Sequence, residues 1–399
     1  MLNDRNSVFF AVGVVAVCLL YFGLEWNNGR AQMADFRVYY DAAAALVNGG
    51  QVYGKAFGVS SGFYKYSPLA CVPFIPFTWL AYKKASVVYY ILLSITIALF
   101  SVRVANDLSS KSNVQKRTWL LALLTGLFLI DHLERELHLG NINLFLLVML
   151  YACYNFWSSH RYWMAGVMLG VVLLFKPHFV ILLPYFIWKK QFKSLLMAAV
   201  TVLMGLSLPV FFLGFKGNSK LLIKWLGAMQ DHNLALQKSP NTIYGLINFS
   251  CFNGQGGAWI IPSTLLLVGA FFVYFMLRND RIAANQNWTN QPRYMEFFLL
   301  VALVPNLVHT DTEHFLWTWP LIAYSLSRLL FDYTVKKKAW YVAFLVLAFV
   351  PYAVNSPDLV GKKVRLLFDE GLLGLSNLIL IIIAVTLSLA KQTSQGSEH

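Results

Sequence analysis

Charged residues are scarce in this sequence, and their scarcity decides the class of protein. Of the 399 residues, 13% are charged and 58% are hydrophobic. A soluble globular protein carries about a quarter charged residues. The deficit excludes an ordinary soluble domain and predicts an all-α polytopic membrane protein.

Cysteine is also scarce, and familiar catalytic signatures are missing. None of the four cysteines forms a C-x-x-C pair, so neither a disulfide framework nor a thiolate metal site is predicted. The sequence contains no HExxH motif, Walker loop or zinc-ligand spacing. These absences exclude the common soluble nucleotide-binding and metalloprotease classes.

The net charge of +14 would point to a nucleic-acid partner in a soluble chain. Here lysine and arginine lie between apolar runs, where they orient spans and contact lipid headgroups. We therefore predict membrane lipids as partners and no nucleic acid.

Apolar runs recur to the C-terminus and predict about twelve transmembrane helices, since a full span needs about 20 residues. The first run, 9–24, follows MLNDRNS and resembles a signal sequence. It is long for that role and no A-x-A site follows, so an uncleaved first span is predicted. The predicted spans are 8–25, 86–105, 118–132, 142–158, 163–176, 178–188, 194–214, 257–277, 294–309, 315–332, 339–354 and 372–390.

The spans 163–176 and 178–188 are individually short and flank Lys176-Pro177-His178. Because proline removes a backbone donor, we predict a hairpin of two short helices, with one tilted helix as the alternative. The hairpin puts the short basic segments on one side, which predicts cytoplasmic termini and outward-facing segments 26–85 and 215–256. Two membrane-surface helices are predicted, at 35–48 and 66–82.

Polar residues collect at the predicted outer ends of the spans rather than in their centres. A transporter that couples to ions usually places charges within its spans. The outer pattern therefore favours an enzyme that acts at the membrane surface on a lipid-linked substrate. These residues are Asp35, Asp41, Asp131, His132, Glu134, Arg135, Glu136, His138, Lys176, His178, Asp231, His232, His309, Asp311, Glu313 and His314.

Each of these features also has a simpler interpretation. Asp35 alone suits the first turn of a helix, and the run 131–141 reads as a solvated loop whose charges pair. Tyrosines near a membrane commonly form an aromatic belt, and His314 can be an interfacial histidine. Lys176 between two short apolar helices is harder to dismiss, because it needs water or an anion such as a lipid phosphate.

Several motifs, taken in order, resemble glycosyltransferase family 87 of the GT-C membrane glycosyltransferases. They are DFxxYYxAAxAL from Asp35, YSPL from Tyr66, GNxN from Gly140, AGxxLG from Ala165 with the following Lys176, NxxxGL from Asn241, and EHxxW from Glu313. The resemblance is good over 33–193, thin to about 320 and absent beyond that. Ser67, Asn141 and Glu313 depart from the proline, glutamine and histidine of the family.

The resemblance implies a single GT-C domain over 1–399 that transfers a sugar, expected to be mannose, from a polyprenyl-phosphate donor. The acceptor is a glycolipid or glycan at the outer face of the cytoplasmic membrane. Asp35 is expected to be the general base of an inverting reaction, with Lys176 and His314 on the donor phosphate. The expected substrate-binding residues are Tyr39, Tyr40, Tyr66, Glu136, His138, Asn141, Asn143, His178, Asn241 and Glu313.

We predict no metal and no other cofactor, because a nearby cation can take the charge of a monophosphate leaving group. Glu134, Glu136 and His138 are the alternative, as possible metal ligands. The competing class is a transporter or flippase for lipid-linked saccharides. Two further alternatives remain. One is a membrane acyltransferase with His178 as its catalytic histidine, and the other is a non-catalytic scaffold.

Overall fold

The computed structural model describes residues 5–57, 62–109, 118–235, 240–257, 259–285, 291–308, 311–332, 335, 337–354 and 371–395. These residues are almost entirely helical. Their only strands, β1 (Ala56–Phe57) and β2 (Gly62–Phe63), have two residues each and pair antiparallel. The prediction of an all-α chain is confirmed. Of the short basic segments predicted to face the cytoplasm, residues 110–117 and 336 lie outside the described residues.

The α-helices are numbered in chain order. They are α1 (Arg5–Asn27), α2 (Ala34–Val47), α3 (Tyr82–Ser109), α4 (Thr118–Phe128), α5 (Ile130–Leu139), α6 (Asn143–Ser158), α7 (Tyr162–Phe175), α8 (Leu182–Trp188), α9 (Phe192–Ser207), α10 (Val210–Ala235), α11 (Ile243–Phe252), α12 (Ile260–Asn285), α13 (Gln291–Leu307), α14 (Trp319–Phe331), α15 (Lys338–Ala353) and α16 (Leu373–Gln395). Three 3-10 helices are interspersed: Pro68–Trp79, Pro177–Ile181 and Thr312–Thr318.

Three described helices are long and apolar enough to cross a membrane: α1, α3 and the Ile260–Arg281 part of α12. A fourth candidate joins α5 to α6, which are bent by 116° relative to each other. Other apolar helices among the described residues have 10–17 residues. The apolar helices fit a polytopic membrane protein, whereas the count of twelve spans stays a prediction.

The first of the two predicted surface segments is helical, as α2 (Ala34–Val47), and Gly49 follows its C-cap Asn48 with a left-handed backbone at φ 67°. Its place at the membrane surface stays a prediction. The second, at 66–82, is a 3-10 helix over Pro68–Trp79. Pro73 and Pro76 lie inside it and have no backbone N–H. A regular α-helical ladder is therefore interrupted there.

The reading of 131–141 as a solvated loop is wrong, because Ile130–Leu139 is the helix α5. Asp131, His132 and Glu136 are buried, whereas Ile130 is exposed. His132 and Glu136 are four residues apart and therefore lie on the same face of α5. Charged and polar side chains are thus buried on this helix together with Leu137.

The break predicted at Lys176-Pro177 is present, so one continuous helix over 163–188 is excluded. Lys176 is extended, with φ −132° and ψ 93°, between α7 and the 3-10 helix Pro177–Ile181. Proline disfavours the helical region for the residue before it. The segment 215–256, predicted to lie outside the spans, contains most of α10 and all of α11, and α10 is kinked at Gly214.

The described chain divides into two compact units. We call Leu2–Phe100 with Glu134–Leu236 the Asp35 unit, and Ser101–Leu133 with Gln237–His399 the His314 unit. In the Asp35 unit, α7 packs against α6 and α9, and α2 packs against the 3-10 helix Pro68–Trp79. In the His314 unit, α13, α14 and α15 pack against α16.

Two glycines allow α7 and α9 to approach closely. A Cβ atom on Gly166 would lie 2.3 Å from the Ser194 carbonyl oxygen, and one on Gly170 would lie 2.8 Å from the Ala198 carbonyl oxygen. Small residues at helix interfaces are the usual means of close packing in membranes. The AGxxLG motif is therefore explained by packing.

We expect Gly166→Ala to destabilise the Asp35 unit by about 1–3 kcal/mol, because the added methyl group overlaps the α9 backbone. Gly126→Ala is the matched control, since a Cβ atom there meets nothing within 4 Å. The thermal unfolding midpoints of the purified variants in detergent measure the difference. Equal midpoints would contradict this packing.

Candidate active site

Asp35 lies in the first turn of α2 and is half-buried. A carboxylate is favoured at a helix N-terminus by the helix dipole. The turn at Gly140-Asn141 approaches this end of α2 closely, and Gly140 has φ 63°. A Cβ atom on Gly140 would lie 2.7 Å from Met33 Cε and 2.8 Å from Phe36 Cβ. Glycine is needed here for both its backbone conformation and its lack of a side chain.

Asn141 connects this turn to Asp35. Its Nδ2 donates a hydrogen bond to Asp35 Oδ2 at 2.6 Å. Its Oδ1 accepts from the Ile142 N–H at 2.7 Å and from the Tyr39 hydroxyl at 3.2 Å. The Tyr89 hydroxyl donates to the Asn141 carbonyl oxygen at 3.0 Å. A buried amide with its donor and acceptor both engaged holds the Asp35 carboxylate in a defined position.

Tyr39 and Tyr66 extend these contacts, with their hydroxyl oxygens 3.3 Å apart. Burial raises the pKa of Tyr39 well above its ordinary value of 10.0, and Tyr66 and Asp35 raise that pKa further. The phenol therefore stays protonated at neutral pH. Tyr39 is thus a neutral hydrogen-bond donor near the carboxylate and not a second base.

Lys176 is buried and reaches the same group of residues from the break after α7. Its Nζ donates to Asn143 Oδ1 at 2.7 Å and lies 5.9 Å from the centroid of the Tyr66 ring. Asn143 Nδ2 donates to Glu136 Oε2 at 3.2 Å, while Glu136 Oε1 accepts from the Leu144 N–H at 2.7 Å. Glu136 thus satisfies a backbone donor at the start of α6.

We call the connected residues the Asp35 network. They all belong to the Asp35 unit, and the members named below were among the site residues expected from the sequence. Tyr89, which also donates a hydrogen bond to Asn141, was not. The members of the network are Asp35, Tyr39, Tyr66, Glu136, Asn141, Asn143 and Lys176.

Three other predicted site residues of this unit have different surroundings. The Tyr40 hydroxyl donates to the Leu80 carbonyl oxygen at 2.8 Å. His138 Nδ1 lies 2.5 Å from Glu25 Oε2. His178 is half-buried in the 3-10 helix Pro177–Ile181. Their substrate-binding roles stay predictions.

The alternative metal site of Glu134, Glu136 and His138 is not formed among the described residues. Each of the three has its own protein partner: the Tyr21 hydroxyl for Glu134, Asn143 for Glu136 and Glu25 for His138. Their ligand atoms do not form a common group.

In the His314 unit, the predicted residues Glu313 and His314 are buried in the 3-10 helix Thr312–Thr318. Their ligand atoms and one of the exposed Asp311 lie within 4.8 Å of one another. His314 Nδ1 is 3.1 Å from the Asp311 carbonyl oxygen. Two carboxylates and an imidazole are suitable ligands for a divalent ion. His309 and the side chains of Asp231 and His232 lie outside the described residues.

Asn241 is part of an amide network within the same unit. Its Oδ1 accepts from the Gly374 N–H and its carbonyl oxygen accepts from Asn306, each at 3.0 Å. Asn377 Nδ2 donates to Asn306 Oδ1 at 2.6 Å, and Asn377 Oδ1 accepts from Thr318 at 2.6 Å. Sequence reasoning did not single out Asn306 or Asn377. An asparagine within an apolar helix was the signal that could have found them.

Comparison with known proteins adds the family. The profile of glycosyltransferase family 87 matches residues 63–304, which is more than half of the chain. The chain belongs to glycosyltransferase family 87. The matched range contains Tyr66, the α5–α6 residues of the Asp35 network and Lys176. Asp35 and His314 lie outside it.

Three curated relatives are each 25% identical to the chain. The alpha-(1->3)-arabinofuranosyltransferase of Corynebacterium glutamicum aligns over 49% of this chain and 46% of its own length. Two polyprenol-phosphate-mannose-dependent alpha-(1-2)-phosphatidylinositol mannoside mannosyltransferases align as well. The one from Mycolicibacterium smegmatis covers 43% of this chain and 42% of its own length, and the one from Mycobacterium tuberculosis covers 48% and 49%. The chain thus spans about half the length of each relative.

We expect Tyr39→Phe to lower the stability of this family 87 chain by about 0.5–1.5 kcal/mol, the usual net contribution of one hydrogen bond. Tyr40→Phe is the control, because its hydroxyl makes an exposed bond and its loss should matter less. The two thermal midpoints in detergent are compared with that of the wild type. An equal effect of both changes would argue against the buried Tyr39 contacts.

Proposed function

We propose that the chain transfers a sugar from a polyprenyl-phosphate donor to a lipid or glycan acceptor, with Asp35 as the general base. The observation that carries this proposal is the hydrogen bond from Asn141 to Asp35 within a network that also contains the buried Lys176. A held carboxylate and a buried ammonium group are the two charges that such a transfer requires.

The names of the relatives support the donor class. Two of them are polyprenol-phosphate-mannose-dependent, and the third transfers arabinofuranose. We propose mannose as the sugar and a pentose donor as the one to test beside it. The lipid named in two of the relatives supports a glycolipid acceptor.

Asp35 would act on the acceptor hydroxyl. As the hydroxyl oxygen bonds to the anomeric carbon, its proton passes to the Asp35 carboxylate and the bond to the donor phosphate breaks. The polyprenyl phosphate leaves with the bonding electrons, and this single displacement inverts the anomeric centre. A general base must lie within about 2.6–3.2 Å of the oxygen it deprotonates, and the bond from Asn141 favours a fixed carboxylate.

Lys176 would stabilise the departing phosphate. Its ammonium group is buried next to Asn143 and Tyr66, and a fixed cation acts most strongly where water is excluded. The phosphate-binding role of His314 stays a prediction from the sequence. We propose a metal-independent reaction in one domain over 1–399, at the outer face of the cytoplasmic membrane.

Asp35→Asn should reduce sugar transfer by about 10²–10⁴-fold, because the amide cannot accept the proton. The assay is label transfer from radiolabelled polyprenyl-phosphate mannose to a membrane lipid extract by purified protein in lipid. Asp107→Asn is the matched control, since that carboxylate pairs with Arg103 on α3 at 2.8 Å. Sugar transfer by the Asp35→Asn variant at the wild-type rate would refute the assignment of Asp35 as the general base.

A transporter or flippase would move the donor across the bilayer and make no new product. Wild-type protein that forms a labelled product therefore supports the transferase. If neither the mannose nor the pentose donor gives a labelled product, while labelled donor crosses the bilayer of proteoliposomes, the transporter hypothesis replaces the transferase hypothesis.

Lys176→Met should lower kcat by about 10²–10³-fold, the effect of removing one group that stabilises leaving charge. Lys193→Met is the control, because Lys193 is exposed at the start of α9. The thermal midpoint is measured beside kcat to separate misfolding from lost catalysis. A folded Lys176→Met protein with unchanged kcat would rule out this role.

A further inference from the structure

A cavity lies where α1 ends and α3 begins, all within the Asp35 unit. Its volume is about 640 Å³, within the range of roughly 300–1,000 Å³ that small-molecule sites usually have. Trp26 of α1, Arg37 of α2, and Tyr82, Lys83 and Ser86 of α3 line it, together with the α1–α2 connection. We call it the α1–α3 pocket.

The α1–α3 pocket is distinct from the Asp35 network. Arg37 follows Asp35 by two residues on α2, which turns its side chain by about 200° around the helix. Asp35 therefore faces Asn141, while Arg37 lines the pocket on a different side of α2. None of the residues named here as lining the pocket belongs to that network.

Two basic side chains, Arg37 and Lys83, line the pocket, and Arg37 is paired with the Asp41 carboxylate. The Arg37 guanidinium lies 4.3 Å from the Tyr82 ring centroid, and its Nε lies 2.7 Å from Asp41 Oδ2. These two contacts hold a planar cation at the wall, a form suited to phosphate oxygens. Lys83 is exposed and has no salt bridge with any described residue. An anion can therefore contact one fixed and one flexible cation.

The position of the pocket specifies the source of that anion. α1 and α3 are two of the described helices able to span a membrane, and the pocket lies at the end of one and the start of the other. Span ends lie at headgroup depth, where tryptophan and tyrosine are enriched. Trp26 is 46% exposed and Tyr82 packs its ring on Arg37. Phosphate at that depth belongs to lipids.

We propose that the α1–α3 pocket binds the phosphate-bearing headgroup of an anionic membrane lipid. Lys83 and Arg37 contact the phosphate oxygens, and the Trp26 and Tyr82 rings border the glycerol and upper acyl chain. This site does not depend on the proposed transferase activity. It provides a fixed lipid contact beside the helix that carries Asp35.

The test is binding of dioctanoyl phosphatidylglycerol to the purified full-length chain in neutral detergent, measured calorimetrically at physiological salt. Dioctanoyl phosphatidylcholine and inorganic phosphate are titrated in parallel. We expect the anionic lipid to bind more tightly than either. Lys83→Gln should weaken that binding about fivefold, the usual effect of one basic side chain near a lipid surface.

Lys84→Gln is the matched control, because Lys84 is the next residue, is exposed and does not line the pocket. It should change the affinity by less than about twofold. Arg37→Gln, with its thermal midpoint checked, should reproduce the loss seen with Lys83→Gln. Equal losses for Lys83→Gln and Lys84→Gln would overturn the site, and inorganic phosphate that binds as tightly as the lipid would overturn the lipid headgroup as its ligand.

Discussion

The hydrogen bond from the Asn141 amide to Asp35 is the interaction on which the site depends. The amide also accepts from Tyr39 and from the backbone at the start of α6. In a buried setting each of these bonds would be costly to leave unmade. Gly140, with its left-handed backbone and missing side chain, lets the amide reach α2. The position of the carboxylate thus follows from backbone geometry more than a hundred residues away.

A neutral amide also compensates the buried cation of the site, the Lys176 ammonium group. Burial of a lysine is costly unless hydrogen bonds or charges compensate it. Asn143 lies between Lys176 and Glu136 and bonds to both, so the two opposite charges are linked through an amide. Proline after Lys176 holds that residue extended, which ends α7 at the point where the ammonium group joins the network. The extended backbone at Lys176 and the left-handed turn at Gly140 together bring the residues of the Asp35 network into contact.

Much of this could be predicted from the sequence, for identifiable physical reasons. Apolar runs predicted helices, Gly49 marked the end of α2, and Pro177 marked the break after Lys176. Ordered motifs contained the members of the Asp35 network except Glu136, which was expected as one of the polar residues at the outer ends of the spans. The hydrogen bonds among these residues could not be read from spacing. The burial of Asp131, His132 and Glu136 was missed because a charged run usually indicates a solvated loop. Asn306 and Asn377 were missed because a single asparagine in an apolar helix marks an interhelical contact but does not indicate which residues it bonds to.

A double-mutant cycle tests the central claim, that Asn141 acts by positioning Asp35. Transfer rates and thermal midpoints are measured for Asp35→Asn, Asn141→Ala and the double variant. If Asn141 works through Asp35, the double variant should be no slower than Asp35→Asn alone, because the second change removes a contact that no longer serves the base. Losses that multiply, with all three proteins folded, would show that the two residues act independently and would contradict the account.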